Sequence, residues 1–254
     1  TVPVAIIGVT TSGISTETNI DVVLLAKGTG ATLAQVPDGT IAGGNKRGIY
    51  ATDWQKSRAI ATQVASSYYS TIGGGINNTV SSGYSVVAGG DSNTASTNEY
   101  ATIGGGSSNQ CSGNFGTISG GQSNNVSATR AAISGGFANT ASSTSSFVGG
   151  GQSNTAQTGT HATVCGGSTN TASGLYSFIG GGFTNSALGS RCSVVGGQSN
   201  TATGSYSFVG GGSSNTASSG KAYHAVVCGL SNTANGEFAF VGGGQENTAN
   251  GDYS

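Results

Sequence analysis

The acidic side chains that catalysis would need are unevenly spread along this chain. Of the 254 residues only nine are Asp or Glu, and none lies between Glu99 and Glu237. Glycan-cleaving enzymes use a pair of carboxylates, and calcium-binding glycine-rich solenoids use a regular row of Asp residues. The middle of the chain therefore lacks the residues for either chemistry.

Other residues that could do chemistry are also few. The two histidines, His161 and His224, lie far apart in a repeating chain, whereas a metal site needs several clustered ligands. The Gly-Gly-Gly runs recur along the chain and are not followed by the Lys and Ser or Thr of a phosphate-binding loop. We predict no catalytic residue, metal or cofactor, and no enzymatic activity.

The elements that position these residues are copies of one repeat. Twelve Asn residues, from Asn78 to Asn247, follow one another at steps of 15, 16 or 17 residues. Ile or Val always lies six residues before the Asn, and a small apolar residue, usually Ala, lies two after it. Two Gly residues lie four and three before it in eleven copies. A unit this short cannot bury its own core and must stack on its neighbours.

The repeat predicts an all-β fold, a β-solenoid of about twelve 15-residue coils over residues 69–254, with residues 1–68 forming a small β-rich cap or adaptor. The aliphatic residue should point into the coil, and the Gly pair should form a corner that excludes a Cβ. Asn and Thr should stack as ladders, each amide bonding to the next. At about 4.8 Å per parallel strand, twelve coils give a rod of about 55 Å.

Three local predictions concern the N-terminal region. Residues Thr16–Ala26 have the pattern of a strand. Pro37–Gly39 is a turn signal. Asp53 is a candidate N-cap for a short helix over Trp54–Val64.

The four cysteines, Cys111, Cys165, Cys192 and Cys228, fall in different coils. Any two are at least two coils apart, roughly 9–10 Å or more. A disulfide tolerates Cα separations only to about 7 Å. We therefore predict four free thiols within a chain, each replacing a small buried residue.

The strand residues predict association between chains. In Tyr206–Val209, Val209 and Ser207 share one face of the strand, while Tyr206 and Phe208 share the other. One apolar face can fill the thin coil, and the other needs a partner. A parallel homotrimer around a threefold axis is the favoured arrangement. A thicker coil that buries both faces within one chain is the alternative.

Three repeats are longer than the others, and each gains its extra residues between the Ala column and the next strand. Because surface loops tolerate insertions, this corner should face solvent. Ordinary loop variation is the alternative to a binding role. The candidate binding residues there are Glu99, Tyr100, His161, Lys221, Tyr223 and His224.

Charge and hydropathy limit the partners. The formal net charge is −1, which gives no basic surface for nucleic acid or anionic membranes. Charged residues are 7% of the chain, against roughly 25% in an average soluble domain. The sequence has no run of about 20 apolar residues, so no membrane span is predicted.

The best copies, such as YSFVGGGSSNTASSG over residues 206–220, resemble repeats in the head domains of trimeric autotransporter adhesins, which form β-rolls around a threefold axis. They resemble still more closely repeats in viral and phage fibre proteins. In those proteins a leader like residues 25–30, 43–48, 51–55 and 61–66 precedes the Gly-rich array. The absence of a visible coiled-coil stalk or membrane anchor favours the fibre.

The resemblance implies a structural virion fibre, a homotrimer that projects from the particle and aids host attachment. It would contact other virion proteins at one end and a host surface glycan or protein elsewhere, on the virion surface. A bacterial surface adhesin head is the alternative. An ice-binding solenoid is a third possibility, although its Thr column is broken at Gln110, Asn125 and Ser186.

Overall fold

The computed structural model describes residues 32–33, 35, 37–218, 220 and 222–254. These residues form an all-β chain without a helix, built from strands of two residues each. The predicted strand at Thr16–Ala26 lies outside the described residues. The strands are β1 (Thr32–Leu33), β2 (Thr52–Asp53), β3 (Thr71–Ile72), β4 (Thr79–Val80), β5 (Val86–Val87), β6 (Thr94–Ala95), β7 (Thr102–Ile103), β8 (Gln110–Cys111), β9 (Thr117–Ile118), β10 (Asn125–Val126), β11 (Ala132–Ile133), β12 (Thr140–Ala141), β13 (Phe147–Val148), β14 (Thr155–Ala156), β15 (Thr163–Val164), β16 (Thr171–Ala172), β17 (Phe178–Ile179), β18 (Ser186–Ala187), β19 (Ser193–Val194), β20 (Thr201–Ala202), β21 (Phe208–Val209), β22 (Thr216–Ala217), β23 (Ala225–Val226), β24 (Thr233–Ala234), β25 (Phe240–Val241) and β26 (Thr248–Ala249).

The strands form two parallel sheets that run along the rod. The aliphatic sheet has 14 strands, β1, β2 and the odd-numbered strands from β3 to β25. The threonine sheet has 12 strands, the even-numbered strands from β4 to β26. Each predicted repeat contributes one strand to each sheet, so the predicted solenoid is confirmed. A row of single parallel bridges, from Ser57–Ile76 to Leu230–Gln245, forms a third side.

The core lies between the sheets and consists of stacked columns of identical position. The Ile and Val column of the repeat is buried from Ile72 to Val241, as predicted. The Ala column opposite is also buried from Val80 to Ala234, with Cys111 among its members. Parallel pairing joins each residue to its equivalent one coil away, for example Ile133 to Val148. Each core side chain therefore lies beside the side chain at the same repeat position of the neighbouring coil.

The Gly pair forms the predicted corner. In the coil of Asn154, Gly150 and Gly151 have φ of 147° and 87°. A Cβ on Gly151 would overlap the carbonyl oxygen of Gly167 in the next coil and would lie 2.7 Å from Nδ2 of Asn154. This corner therefore requires Gly both for its backbone angle and for the close approach of the next coil.

The buried Asn ladder bonds differently from the prediction. Asn154 donates from Nδ2 to the carbonyl of Gly150 in its own coil, at 2.9 Å, and to that of Gly167 in the next, at 2.8 Å. Its Oδ1 accepts the backbone N–H of Asn170 at 3.0 Å. The predicted amide-to-amide bonds are present at only a few steps among the described residues, such as Asn170 to Asn154. The ladder is mainly one of side chain to backbone, because the corner carbonyls face the core and need donors.

The aliphatic sheet continues on the N-terminal side of the repeats, where the predicted helix over Trp54–Val64 is wrong. Asp53 lies in β2, paired with Ile72, and is fully buried. Its Oδ2 accepts Nε of the buried Arg47 at 2.7 Å. Its Oδ1 accepts the backbone N–H of Gln55 at 3.2 Å, as a helix cap would, but the described residues that follow form no helix. The turn signal at Pro37–Gly39 is confirmed by hydrogen bonds that close the loop onto Gly44.

Gln55 begins the Asn ladder. Its Oε1 accepts the backbone N–H of Asn78 at 2.9 Å, and its Nε2 donates to the carbonyl of Asn78 at 2.8 Å. The backbone N–H of each later Asn donates in the same way to Oδ1 of the Asn one coil before it, as that of Asn93 does to Asn78. The Gln side chain therefore supplies the acceptor that the first Asn would otherwise lack.

We expect Asn154→Ala to lower the free energy of unfolding by about 3 kcal/mol, because it leaves the carbonyl of Gly150 and the buried N–H of Asn170 without these partners. The carbonyl of Gly167 loses one of two bonds, since it also accepts the backbone N–H of Gln152. Gln152→Ala is the matched control, since Gln152 lies in the same coil with its side chain exposed. Urea denaturation of both variants measures the difference. Equal midpoints for the two variants would contradict a structural role for the ladder.

Candidate ligand-binding surface

One corner of every coil is occupied by a residue with left-handed backbone. From Tyr69 to Phe238 this residue lies three positions before the Ile or Val of the core, Tyr50 and Tyr253 extend the column at its two ends, and φ is between 51° and 66° throughout. Such angles are uncommon for residues other than Gly. The corner column consists of Tyr50, Tyr69, Tyr84, Tyr100, Phe115, Arg130, Ser145, His161, Tyr176, Arg191, Tyr206, Tyr223, Phe238 and Tyr253.

The corner geometry is held from both sides. From Tyr69 onward, the N–H of each corner residue donates to a carbonyl one coil earlier, as Phe115 does to Glu99 at 3.2 Å and Arg130 to Asn114 at 2.8 Å. The residue after it often closes a tight turn, as Gly116 does onto Gly113 at 2.9 Å. The side chain is therefore directed out of the coil, whatever its type.

The rings of the corner column form two stacks. The first runs from Tyr50 to Phe115, with centroids 4.8–5.1 Å apart between successive coils. The second runs from His161 to Tyr253, with similar separations. Because the rings cover one another's faces, each stack presents mainly ring edges and hydroxyls to solvent.

Arg191 completes the second stack. Its guanidinium lies 5.6 Å from the centroid of Tyr176 and 5.3 Å from that of Tyr206. Its Nη1 also donates to the hydroxyl of Tyr206 at 3.0 Å. A planar cation between two rings is a favourable replacement for a third ring.

The structure brings three of the predicted binding residues into this column. Tyr100, His161 and Tyr223 are all exposed members of it, one from each longer repeat. Glu99, beside Tyr100, is partly exposed and accepts a hydrogen bond from the Tyr68 hydroxyl. Lys221 lies outside the described residues.

The prediction that His224 lies on the exposed loop is wrong. His224 is buried, and its Nδ1 lies 3.1 Å from the hydroxyl of Ser207. It occupies the inward position two residues before the core Val, the position that Ser207 has in the preceding coil. Counting back from Val226 reveals this position, and the same count reveals the corner residues Arg130 and Arg191, which the sequence interpretation missed.

A second exposed surface lies on the outer face of the aliphatic sheet. Phe147, Phe178, Phe208 and Phe240 are 37–58% exposed there. They alternate in register with small residues, so that Phe178 lies between Thr163 and Ser193. The prediction that Phe208 and Tyr206 face away from the core is confirmed, although they belong to two separate columns.

The residue two positions further along the chain also points outward, and its size varies in the opposite sense to that of the Phe column. Gly180 and Gly210 follow Phe178 and Phe208, and a Cβ on Gly210 would lie 3.2 Å from Cε1 of Phe208. Where the strand residue is small, the following outward residue is larger, as with Val195 after Ser193 and Cys165 after Thr163. Every coil from Phe147 onward therefore presents one larger side chain on this face.

The four thiols are free, as predicted. Cys111 and Cys192 are buried, and burial raises the pKa of each thiol to about 11. Cys165 and Cys228 are exposed. The prediction that every Cys replaces a small buried residue is therefore wrong for these two, which lie on the outer face of a strand and at a corner.

Other kinds of site were sought within the described residues. They hold no cluster of three or more His, Cys, Asp or Glu side chains that could bind a metal ion. No helix suited to crossing a membrane lies among them. An open depression beside the third longer repeat is lined by Thr203, Gly204, Ser205, Gly220, Ala222 and Glu237.

Comparison with known proteins adds no relative. No protein-family model matches the chain, and no curated protein matches it significantly. The resemblance to fibre and adhesin repeats therefore stays a prediction.

We expect Tyr100→Ala to lower the free energy of unfolding by about 1–3 kcal/mol, because two ring pairs are lost. Tyr100→Gly should cost about 1 kcal/mol less, since Gly adopts a positive φ without strain. Urea denaturation of the two variants tests both the stacking and the strain. A Gly variant less stable than the Ala variant would contradict this account of the corner.

We expect Cys111 and Cys192 to resist a thiol-specific reagent at pH 8, because the thiolate is the reactive form. Cys228 should react at once, and all four thiols should react after unfolding in urea. Peptide mapping of the labelled native protein measures which thiols react, and rapid labelling of Cys111 would contradict the prediction.

The raised pKa of Cys111 and Cys192 also means that the folded state holds these two protons more tightly than the unfolded state does. The free energy of unfolding should therefore fall as pH rises from about 9 to 11.

Proposed function

We propose that this protein is a structural fibre or appendage protein of a virus particle that assembles as a parallel homotrimer. The observation that carries the proposal is the exposed Phe column on the outer face of the aliphatic sheet. Large apolar patches on a rigid surface are typical of association sites. The rod would display its corner residues away from the particle and thereby aid attachment to a host surface.

The alternation of side chains supports packing around a threefold axis. In a parallel trimer, equivalent residues of the three chains meet at one height. Layers of three Phe rings would then recur about every 10 Å, two strand spacings apart. The layers between them would hold Val195, Val227 or Cys165, so no layer is empty and none holds two large residues per chain.

The polarity of two other faces supports placing the Phe face at the threefold axis, while the bridge side exposes some apolar residues, such as Phe137 and Phe183. The outer face of the threonine sheet carries the Thr column, which lies in register from coil to coil. The longer repeats place their extra residues, such as Thr97 and Asn98, at exposed positions of the corner. These faces suit contact with water, and the Phe face suits contact with another chain.

The role would be rigid display and not chemistry. A rod of fourteen stacked strands is about 60 Å long, at about 4.8 Å per step. The corner columns of the three chains would point outward. A weak contact that all three columns make at once binds more tightly than one such contact alone.

Light scattering of the purified full chain tests the assembly. We expect a mass of three 24.5 kDa chains. Phe178→Asp should give monomers, because three like charges would meet at the axis without water. Phe183→Asp is the matched control, since Phe183 is also exposed, at 50% against 37% for Phe178, but lies on the bridge side. A stable wild-type monomer, or a trimer unaffected by Phe178→Asp, would overturn the proposal.

Labelling of Cys165 provides a second measurement on the same samples. In the proposed trimer Cys165 is covered and should react slowly, whereas in the Phe178→Asp monomer it should react as fast as Cys228. Circular dichroism of the variant verifies that the coil itself remains folded. Equal labelling of Cys165 in both proteins would place the interface on another face.

A further inference from the structure

The two ring stacks of the corner column are separated by a notch. Between Phe115 and His161, the column holds Arg130 and Ser145 in place of rings. The backbone continues regularly through this gap, since the N–H of Ser145 donates to Thr129 at 2.9 Å and that of His161 to Thr144 at 3.0 Å. The notch is therefore an absence of rings on an intact corner and not a distortion of the fold.

The rings that border the notch each have one uncovered face. Phe115 stacks on Tyr100 on one side only, and His161 stacks on Tyr176 on one side only. Phe115 is 51% exposed, against 42% for Tyr100 within the stack. The two bordering rings are three coils apart, about 14 Å. A flat ligand packs about 3.5–4 Å from a ring, so the notch has room for one or two sugar-sized rings.

The same residue type behaves differently at the two interruptions of the column. Arg191 fills a gap one coil wide and lies between two rings. Arg130 lies within a gap two coils wide. Among the described residues the cation–π contacts are those of Arg191, so Arg130 does not lie over a ring. The exposed guanidinium of Arg130 makes no side-chain hydrogen bond or ion pair within the described residues. It is therefore available to a ligand.

The charge around the notch favours an anion. Arg130 is the only Asp, Glu, Lys or Arg between Glu99 and Arg191 in the sequence, so the charge at the notch itself is that of a cation. The residues beside the notch, Thr129 and Thr144, carry hydroxyl groups and are partly exposed. An uncovered ring face, a free guanidinium and several hydroxyls suit a ligand that is polar at its edges and apolar on one face.

We propose that the notch binds an acidic saccharide, with one sugar ring packed on the open face of Phe115 and its carboxylate paired with Arg130. Arg binds carboxylates through two parallel hydrogen bonds, which also fixes the orientation of the sugar. The inference names a ligand class for the proposed function and rests on it for its biological role. The notch itself is complete within one chain, so binding does not require the trimer.

Isothermal titration with oligogalacturonate and oligosialic acid tests the proposal, with maltohexaose as the neutral probe. We expect the wild-type chain to bind at least one acidic probe and not maltohexaose. Arg130→Gln should weaken that binding at least tenfold. Arg191→Gln is the matched control, because it removes the same charge from the same column outside the notch, and binding should be unchanged.

Ser145→Tyr keeps the test independent of folding. Tyr is the common residue at this corner, so the variant should fold normally, with its ring stacked on His161 and the notch closed. Binding of the acidic probe should be lost, while the urea midpoint should be unchanged or higher. The Phe178→Asp variant should bind with the same affinity per chain, so a failed trimer and a failed notch give different results. No binding of either acidic probe, equal binding of maltohexaose, or binding that survives Ser145→Tyr would overturn the proposal.

Discussion

Each repeat of this solenoid depends on one Asn side chain, which is buried in every copy from Asn78 to Asn232. Strands of two residues leave most of the backbone outside the sheets, and the glycine corner directs carbonyl groups toward the core. Buried backbone groups without partners are costly. The Asn amide satisfies two of these carbonyls with its Nδ2 and the next coil's N–H with its Oδ1, as Asn154 does. Asp lacks the donor, and Ser has too few atoms to reach all three partners.

The Asn and the Gly of one corner are coupled by this geometry. The Nδ2 of Asn154 lies close to where a Cβ of Gly151 would be. A side chain there would displace the amide from both of its acceptors, so a substitution of Gly151 would also disrupt the bonds of Asn154. The ladder also needs a beginning, and Gln55 provides it with the same two groups on a longer side chain. The buried pair of Arg47 and Asp53 lies beside it at the N-terminal end of the core.

The sequence predicts the columns of this fold well, because a fixed repeat brings the same position of each coil into contact with itself. The inward aliphatic column, the glycine corner and the outward Phe residues all follow from counting along the repeat. Interactions that do not repeat were harder to predict. Asp53 has the local pattern of a helix cap, but it pairs with Ile72 in the sheet and with the side chain of Arg47, and its own coil lies outside the repeat. His224 lies in a longer repeat, where loop length concealed its inward position.

The candidate site was only partly predictable, because it depends on positive φ angles at residues whose types do not indicate them. Aromatic residues rarely adopt a positive φ, and the strain at each corner is of the order of 1 kcal/mol. Stacking along the rod offsets it, since each ring contacts at least one ring at the same position of a neighbouring coil and, at Tyr206 and Tyr176, the guanidinium of Arg191 as well. The corner side chain leaves the core entirely, so Tyr, Phe, His, Arg and Ser all occur there without disturbing the Asn ladder. Recognition can therefore vary at the corner column while the coil stays constant, and Arg130 and Ser145 are the positions where this chain departs from its own ring stack.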